Sequence, residues 1–389
     1  WWELYYSWLY NVQTWNTNLW TTTGYQLFHQ GLVEPLAAGI DRVASRVGQR
    51  EQQIYADVAL RTFTENLRGT GRTLQHVWWL WRNDPRAEHI PIFHRTGTAM
   101  RRDVAESVGA WERSPHDWMR AAAPLITATS RGLEAGDVAM RERVFDARMR
   151  ALAERASRQE LGRLDEDWMR DWQQTQVREQ TDVFGEVLDY SKEQTFHAPM
   201  SQVGELLIKK PREMPYGFGF IWRTLFPFAQ TPDNLIRRGL ELLPNPFIVG
   251  SWYLKPETIK WAGWLPYPGR EAFTPEASMM FAKQMIGTMM AAAVWLAWSQ
   301  GKVTGPAPDD PDEREAMFRR GEMPNSVRVG DTWVSWRRWE PISLPLSIAL
   351  SAFGAMERLE AQQLRRGEVP TSTLQDMLSL ATVASQAMV

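Results

Sequence analysis

Residues 140 to 174 read MRERVFDARMRALAERASRQELGRLDEDWMRDWQQ, with apolar side chains recurring every three or four positions among Arg and Glu. That spacing follows the turn of an α-helix and predicts an amphipathic one. The same texture runs from about 50 to 195, which makes a helical bundle with a solvated polar face the expectation. Nucleic-acid binding is the other reading of so many arginines. A formal net charge of −2 gives no long-range attraction to nucleic acid or anionic lipid, and no local basic patch stands out. The bundle is therefore preferred. The tetrapeptide DWMR occurs at Asp117–Arg120 and again at Asp167–Arg170, but the flanks differ and no repeat follows.

Outward from this region the texture changes on both sides. Residues 1 to 45 open on aromatics (Trp1, Trp2, Tyr5, Tyr6, Trp8, Tyr10, Trp15, Trp20) and pass into VEPLAAGIDRVASRVG, which has helical spacing. From 196 to 275 proline and glycine rise, as in KKPREMPYGFGF, LLPNPF and WLPYPGREAFTPE, so turns and short helices are expected. Three helix starts combine a capping side chain with proline at the first helical position: Thr231-Pro232-Asp233, Thr274-Pro275-Glu276 and Asp310-Pro311-Asp312-Glu313. The last of these helices should stop at Gly321.

The helix opened by Thr274 is the most apolar in the chain. Between Lys283 and Lys302 lie eighteen uncharged residues, QMIGTMMAAAVWLAWSQG, about 27 Å of helix, which only just reaches across a hydrocarbon core. Its apolar centre, Met285 to Trp298, is shorter and contains Gly287 and Thr288. A helix buried in protein is the leading reading, a constitutive span the lesser one. A helix stored in one assembly and later placed in a membrane also fits. Beyond it, residues 325 to 341, NSVRVGDTWVSWRRWEP, alternate Val327 and Val329 with polar neighbours and turn at Gly330-Asp331 into Trp333, Val334 and Trp336. That is a hairpin pattern. The expected fold is mainly α: a multi-helix assembly with proline-rich connecting segments and one small β-hairpin near 326–339. Its segments are 1–45, 46–195, 196–275 and 276–389.

Chemistry is hard to find in the remaining residues. The chain has no Cys, which excludes disulfide frameworks, thiolate metal sites and cysteine catalysis. His89 and His94 in HIPIFH are five apart with Pro91 between them, which breaks the spacing of a helical zinc motif. There is no GxSxG elbow or P-loop, and PYGFGF lacks the context of a dinucleotide fingerprint. Glu112, Asp117, Glu160, Asp165 and Glu166 sit on charged helices, where solvation or ion pairing is expected. No catalytic residue, cofactor-binding residue or metal ligand is expected in this segment. Lysine is scarce, seven against thirty-seven arginines, as GC-rich coding produces. Tryptophan, at 21 residues, suits interfaces and membrane boundaries as well as cores. The chain begins WWELYYSW and ends LATVASQAMV, and it reads as an ordered piece of a longer polypeptide.

One set of motifs resembles a known family. Phe226-Pro227-Phe228 leads to Thr231-Pro232-Asp233-Asn234. The apolar helix ends at Gly301, and Thr304-Gly305-Pro306 turns before the acidic start Asp310-Pro311. The hairpin with Gly330 and its aromatic strand follows. This order resembles the large internal virion proteins of tailed bacteriophages, the DNA-ejection or "polyvalent" proteins. ELYYSWLYNVQTWNTNLWTT resembles the family's N-terminal element more loosely, with Thr14 and Asn18 at matching places. The resemblance covers roughly 1–45 and 220–355.

The resemblance implies a non-enzymatic virion protein, stored inside the capsid, ejected with the genome and helping form a conduit for DNA across the host envelope. Its implied partners are copies of itself, the portal or other internal virion proteins, the host membrane, and genomic DNA passing without sequence-specific recognition. No cofactor or small-molecule ligand is implied. The alternatives are a fixed portal or tail component that stays with the particle, and an enzyme module. Expected interface or membrane contacts are Met285, Ile286, Met289, Ala292, Val294, Trp295 and Trp298 on the helix, with Trp333, Trp336 and Trp339 on the hairpin. The hairpin's tryptophans are expected to cover apolar helix surface.

Overall fold

A computed structural model describes residues 12–82, 115–118, 121, 128–197, 230–243, 275–308, 310–336 and 342–366. The protein is mainly helical with one small antiparallel sheet. The chain divides into two compact units, one of Trp1–Val43 with Glu51–Pro199 and one of Ala44–Arg50 with Met200–Val389. The readings at His89, His94, Glu112, Thr274 and Phe226-Pro227-Phe228 lie outside the described residues, as does Trp339.

The first unit begins with a continuous helical rod. Helix α1 (Val12–Phe28) runs through a π-helical turn (His29–Val33) into α2 (Glu34–Val47), and the Glu34 N–H donates to the His29 carbonyl. The wide turn inserts a residue into the helical phase and leaves His29, Gln30, Val33 and Glu34 all buried. Helix α3 (Ala56–Arg82) lies along α4 (Ala128–Leu161), with Val77 and Leu80 packed on Ala135, Val138 and Ala139. Helix α5 (Glu166–Glu179) is capped by Asp165, whose side chain accepts from the Trp168 N–H, and α6 (Asp182–Gln194) by Thr181. Phe145 and Met149 of α4 meet Phe184, Val187 and Leu188 of α6, with Trp172 of α5 alongside.

The solvated polar face expected for the bundle of about 50–195 needs correction within α4. Glu160, Glu166 and Asp117 are exposed, and Glu166 pairs with Arg150 at 2.9 Å. Arg141, Arg143 and Glu154, however, are buried. The reason is position: α4 has α3, α5 and α6 packed around it, so its polar side is covered too. Burial forces these charges into explicit partnerships. Arg143 donates to Thr23 Oγ1, Gln26 Oε1, Thr70 Oγ1 and Thr73 Oγ1, and Glu154 accepts from Arg61 Nε at 2.7 Å. Arg148 donates to Glu34 Oε2 at 3.0 Å, while Tyr190 and His29 lie 2.5 and 3.1 Å from Glu34 Oε1. Burial alone would raise the Glu34 carboxyl, but Arg148 and these hydrogen bonds outweigh it and hold the group at about 2.

The second unit contains α7 (Gln230–Glu241), α8 (Pro275–Ser299), α9 (Pro311–Arg319) and α10 (Ser343–Arg366). Helix α8 is described from Pro275, its expected cap Thr274 lying outside the described residues, whereas α7 already includes Gln230, so Thr231 and Pro232 stand inside that helix rather than before it. Helix α9 begins as read: the Asp310 side chain accepts from the Asp312 N–H with Pro311 behind it. Its end is a left-handed glycine stop, with Gly321 at φ +76°. The Gly321 N–H bonds to the Phe318 carbonyl and the Glu322 N–H to the Met317 carbonyl. Gly301, at φ +64°, ends α8 the same way.

The expected hairpin is present, β2 (Ser326–Val329) pairing with β3 (Thr332–Ser335) across Gly330-Asp331. Gly330 takes φ +62°, which the first position of a tight hairpin turn requires. It is not alone. β1 (Val303–Thr304) pairs antiparallel with β2, opposing Val303 to Val327 and Thr304 to Ser326, so the element is a three-stranded sheet.

Candidate functional site: the apolar face of helix α8

Helix α8 is anchored along its first half and bare along part of its second. Ala277, Ser278, Met280, Ala282, Lys283, Gln284, Ile286 and Gly287 are buried. Lys283 is not the solvated boundary of the apolar run that its charge suggests. Its Nζ lies 2.6 Å from Glu241 Oε2, which Arg238 also reaches at 2.9 Å, and all three side chains are nearly inaccessible to solvent. Gln284 Nε2 donates to the Glu241 carbonyl oxygen at 2.8 Å. Burial would raise the Glu241 carboxyl, but the charges of Arg238 and Lys283 win and hold it well below the usual carboxylate range. Gly287, one turn beyond Lys283, lets the backbones touch: a Cβ there would lie 1.5 Å from the Leu242 carbonyl oxygen.

Past this anchor, the helix has two unlike sides. Val294, Ala297 and Trp298 pack against a core of Val303, Trp336 and Leu350. Trp336, just after β3, shares this core with Val303 and with Leu350 of α10, the helix that packs most along α8, while Trp333 is half-buried. Gly305 approaches the same Trp298 ring, 3.5 Å from where its Cβ would stand. The other side carries Met285, Met289, Ala292, Trp295 and Leu296, all exposed. Their spacing of four, three and four residues puts Met285, Met289, Ala292 and Leu296 on one stripe. By length and composition α8 is long and apolar enough to cross a bilayer.

The expected contact residues therefore separate. Met285, Met289, Ala292 and Trp295 lie on the exposed stripe, whereas Ile286, Val294 and Trp298 serve the unit's interior. Leu296 is an addition to the expected set. Among the motif residues, Asp233 and Asn234 are buried in α7, and Thr14 and Asn18 lie in α1. Thr304 Oγ1 accepts from the Ser326 N–H at 3.1 Å and so fixes β1 to β2, with Pro306 in the turn beyond.

A second concave place lies in the first unit, a cleft of about 380 Å³ between α3 and α4 lined by Arg72, Thr73, His76, Glu142, Arg143 and Asp146 among others. His76 Nδ1 is 3.3 Å from Glu142 Oε2. Desolvation, reinforced by the nearby Asp146 charge, pushes the Glu142 carboxyl up to about 7, and burial favours the neutral form of His76. Asp146 is pushed up to about 6 by the protein around it. Its side chain stands exposed at the rim, where water screens the effect, so Glu142, only 14% exposed, carries the argument.

Sequence reading passed over this pair. Two acids four apart on a charged helix look solvated until α3 is laid over them. They project from one helix on the same side of the cleft. Paired-carboxylate hydrolysis instead needs them flanking a scissile bond. Among the described residues no group of three His, Asp or Glu side chains could hold a metal ion.

Glu142 has a consequence for stability. Its folded-state value lies above the ordinary 4.5, so the folded chain keeps a proton that the unfolded chain gives up. The stability of the first unit should therefore fall as pH rises from 4.5 to about 7, by up to about 3 kcal/mol from this group. Glu142→Gln should flatten that slope. Urea unfolding at pH 5 and pH 8 checks it, and an equal loss in parent and variant would remove Glu142 as the cause.

No protein-family model, curated protein or solved structure matches this chain.

Proposed function

We propose that this chain is a non-enzymatic internal virion protein of a tailed bacteriophage, released with the genome and contributing to a conduit for DNA across the host envelope. The observation that carries the reading is α8. One half of this helix is locked into its unit by Lys283, Glu241 and the Gly287 contact, and the other half offers Met289, Ala292, Trp295 and Leu296 to whatever comes next. An exposed apolar stripe of this kind is costly in water and marks a surface for protein or lipid. The motifs that follow it, from Gly301 through Asp310 to Gly330, are among those on which the family resemblance rests, and they build the end of α8, the cap of α9 and the small sheet. A net charge near zero suits a passage through which DNA must slide without being held.

In this reading the chain works in several copies, near the portal and other internal proteins before release and in the host envelope afterwards. The experiment that tests it follows the chain through infection: it belongs to full particles and should leave them with the DNA.

A further inference from the structure

We infer that the cleft between α3 and α4 is a binding site for a phosphate monoester, with Arg143 as its buried cation, Arg72 as the cation at its rim and Glu142 as the group that shares the ligand's proton. The reading proposed above assigns this cleft no ligand, and the inference stands apart from that reading.

The cleft is lined by a charge that the protein leaves unanswered. Arg143 is 8% exposed, and Gly69 of α3 makes room for its stem, since a Cβ there would stand 3.1 Å from the Arg143 Cγ. Its two terminal nitrogens donate to Thr23, Gln26, Thr70 and Thr73, all neutral oxygens. Its Nε has no acceptor. Burial pushes the guanidinium down only to about 10, so it stays cationic at neutral pH. A buried cation is stable where a carboxylate answers it, as Glu34 answers Arg148 in the same unit. Arg143 meets no carboxylate among the described residues.

The other charged groups of the cleft divide into committed and available ones. Glu65 is held by Arg61 and Arg68 at 3.2 and 3.0 Å, and Arg150 by Glu166 at 2.9 Å. Arg72 of α3 is exposed and pairs with no acid among the described residues. Glu142 is faced by His76 of α3 and by Arg141 and Asp146 of its own helix. Because its carboxyl keeps a proton up to about 7 and burial raises Asp146 as well, the cleft holds an excess of positive charge through mildly acidic pH. An oxyanion answers that excess, and about 380 Å³ is the size of a small-molecule site. The proton selects which oxyanion. A phosphate monoester ionises for the second time near pH 6, close to the acid beside it, so it can accept from Arg72 and either accept from Glu142 or donate to it. Sulfate has no proton left to donate and would meet an ionised Glu142 with acceptors alone. The phosphodiester of a nucleic-acid backbone is in the same position.

Calorimetric titration of the full chain with inorganic phosphate tests this. At pH 6 phosphate should bind with Kd on the order of 1 mM or below, and sulfate at least about ten-fold more weakly. Arg72→Gln should weaken phosphate at least about ten-fold by removing a charge-assisted hydrogen bond, with circular dichroism unchanged because the side chain is exposed. Raising the pH to 8 should weaken phosphate at least about five-fold as Glu142 loses its proton. A site made of arginines alone would change in the opposite direction, since phosphate gains charge as pH rises. Glu142→Gln keeps a donor that cannot ionise, so it should bind at pH 6 and lose the fall at pH 8. A single-stranded oligonucleotide with a terminal phosphate separates the sources of the ligand: competition with phosphate would place the monoester on a nucleic-acid end, and no competition would leave a free small molecule. Four results would overturn the inference: no saturable binding up to about 20 mM phosphate at pH 6, sulfate bound as well as phosphate, indifference to Arg72→Gln, or competition by the same strand without its terminal phosphate. None of these bears on whether the chain leaves a particle with DNA.

Discussion

Glu241→Gln is expected to unfold or nearly unfold the second unit. The substitution keeps the side chain's shape and removes only its charge, yet it takes away the carboxylate that Arg238 and Lys283 share at 2.9 and 2.6 Å. Two cations would then remain side by side, both with side chains no more than 5% exposed. Removing one partner from a buried ion pair typically costs about 3 to 5 kcal/mol, a large part of the total stability of a domain. Lys283→Met should cost much less, because Glu241 keeps Arg238 and a methionine suits the apolar helix that replaces it around the site. Hydrogen exchange of the α8 amides reads the effect directly. Exchange in Glu241→Gln within about 1 kcal/mol of the parent would mean that the buried pair does not anchor α8.

The second large effect is expected at Gly287. An added Cβ would sit 1.5 Å from the Leu242 carbonyl oxygen and 2.6 Å from its carbon. These are backbone atoms at the end of α7, so no side chain can swing aside. The helices must separate instead, and Gly287 is one turn from Lys283 while Leu242 follows Glu241. The separation therefore stretches the ion pair as well. Gly287→Ala should cost about 3 kcal/mol or more, at the upper end of overpacking effects, and its cost should not add to that of Glu241→Gln. Gly354→Ala in α10 is the control. Nothing lies within 4 Å of its added Cβ, and a helical glycine replaced by alanine there should gain up to about 1 kcal/mol. Equal thermal shifts in the two variants would mean that the close approach at Gly287 does not exist.

Much of this architecture is legible in local sequence, because its signals are local. The three-to-four spacing of 140–174, the Asp310-Pro311 cap, the glycine stop at Gly321 and the two-residue turn at Gly330-Asp331 each depend on a few neighbouring residues. What is not legible depends on distant ones. Strand β1 is two residues long and exists only because Val303 and Thr304 meet Val327 and Ser326. The π-turn at His29–Val33 has no local signature, and it matters through contacts with Arg148, Tyr190 and Gln194, more than a hundred positions away.

Charge was the more misleading signal. Lys283 bounds an apolar run in the sequence, and Glu34, Arg143 and Glu142 look like surface residues. Burial by another helix turns the first three into structural ion pairs or hydrogen-bond hubs and the last into an acid that titrates near neutrality. The stripe on α8 was partly visible through Met285, Met289, Ala292 and Trp295. Which side of the helix would be covered was not, since Trp298 packs against a core that Val303, Trp336 and Leu350 build together through the tertiary fold.

The function rests on where the chain travels, and one measurement follows that directly. Peptides of this chain are quantified by mass spectrometry in purified phage particles, before and after genome release is triggered in vitro, against a capsid protein as internal standard. The account expects the chain in full particles and its loss from emptied ones. Retention at unchanged amount would contradict release and identify a fixed component of the particle, and absence from both would contradict the virion assignment itself.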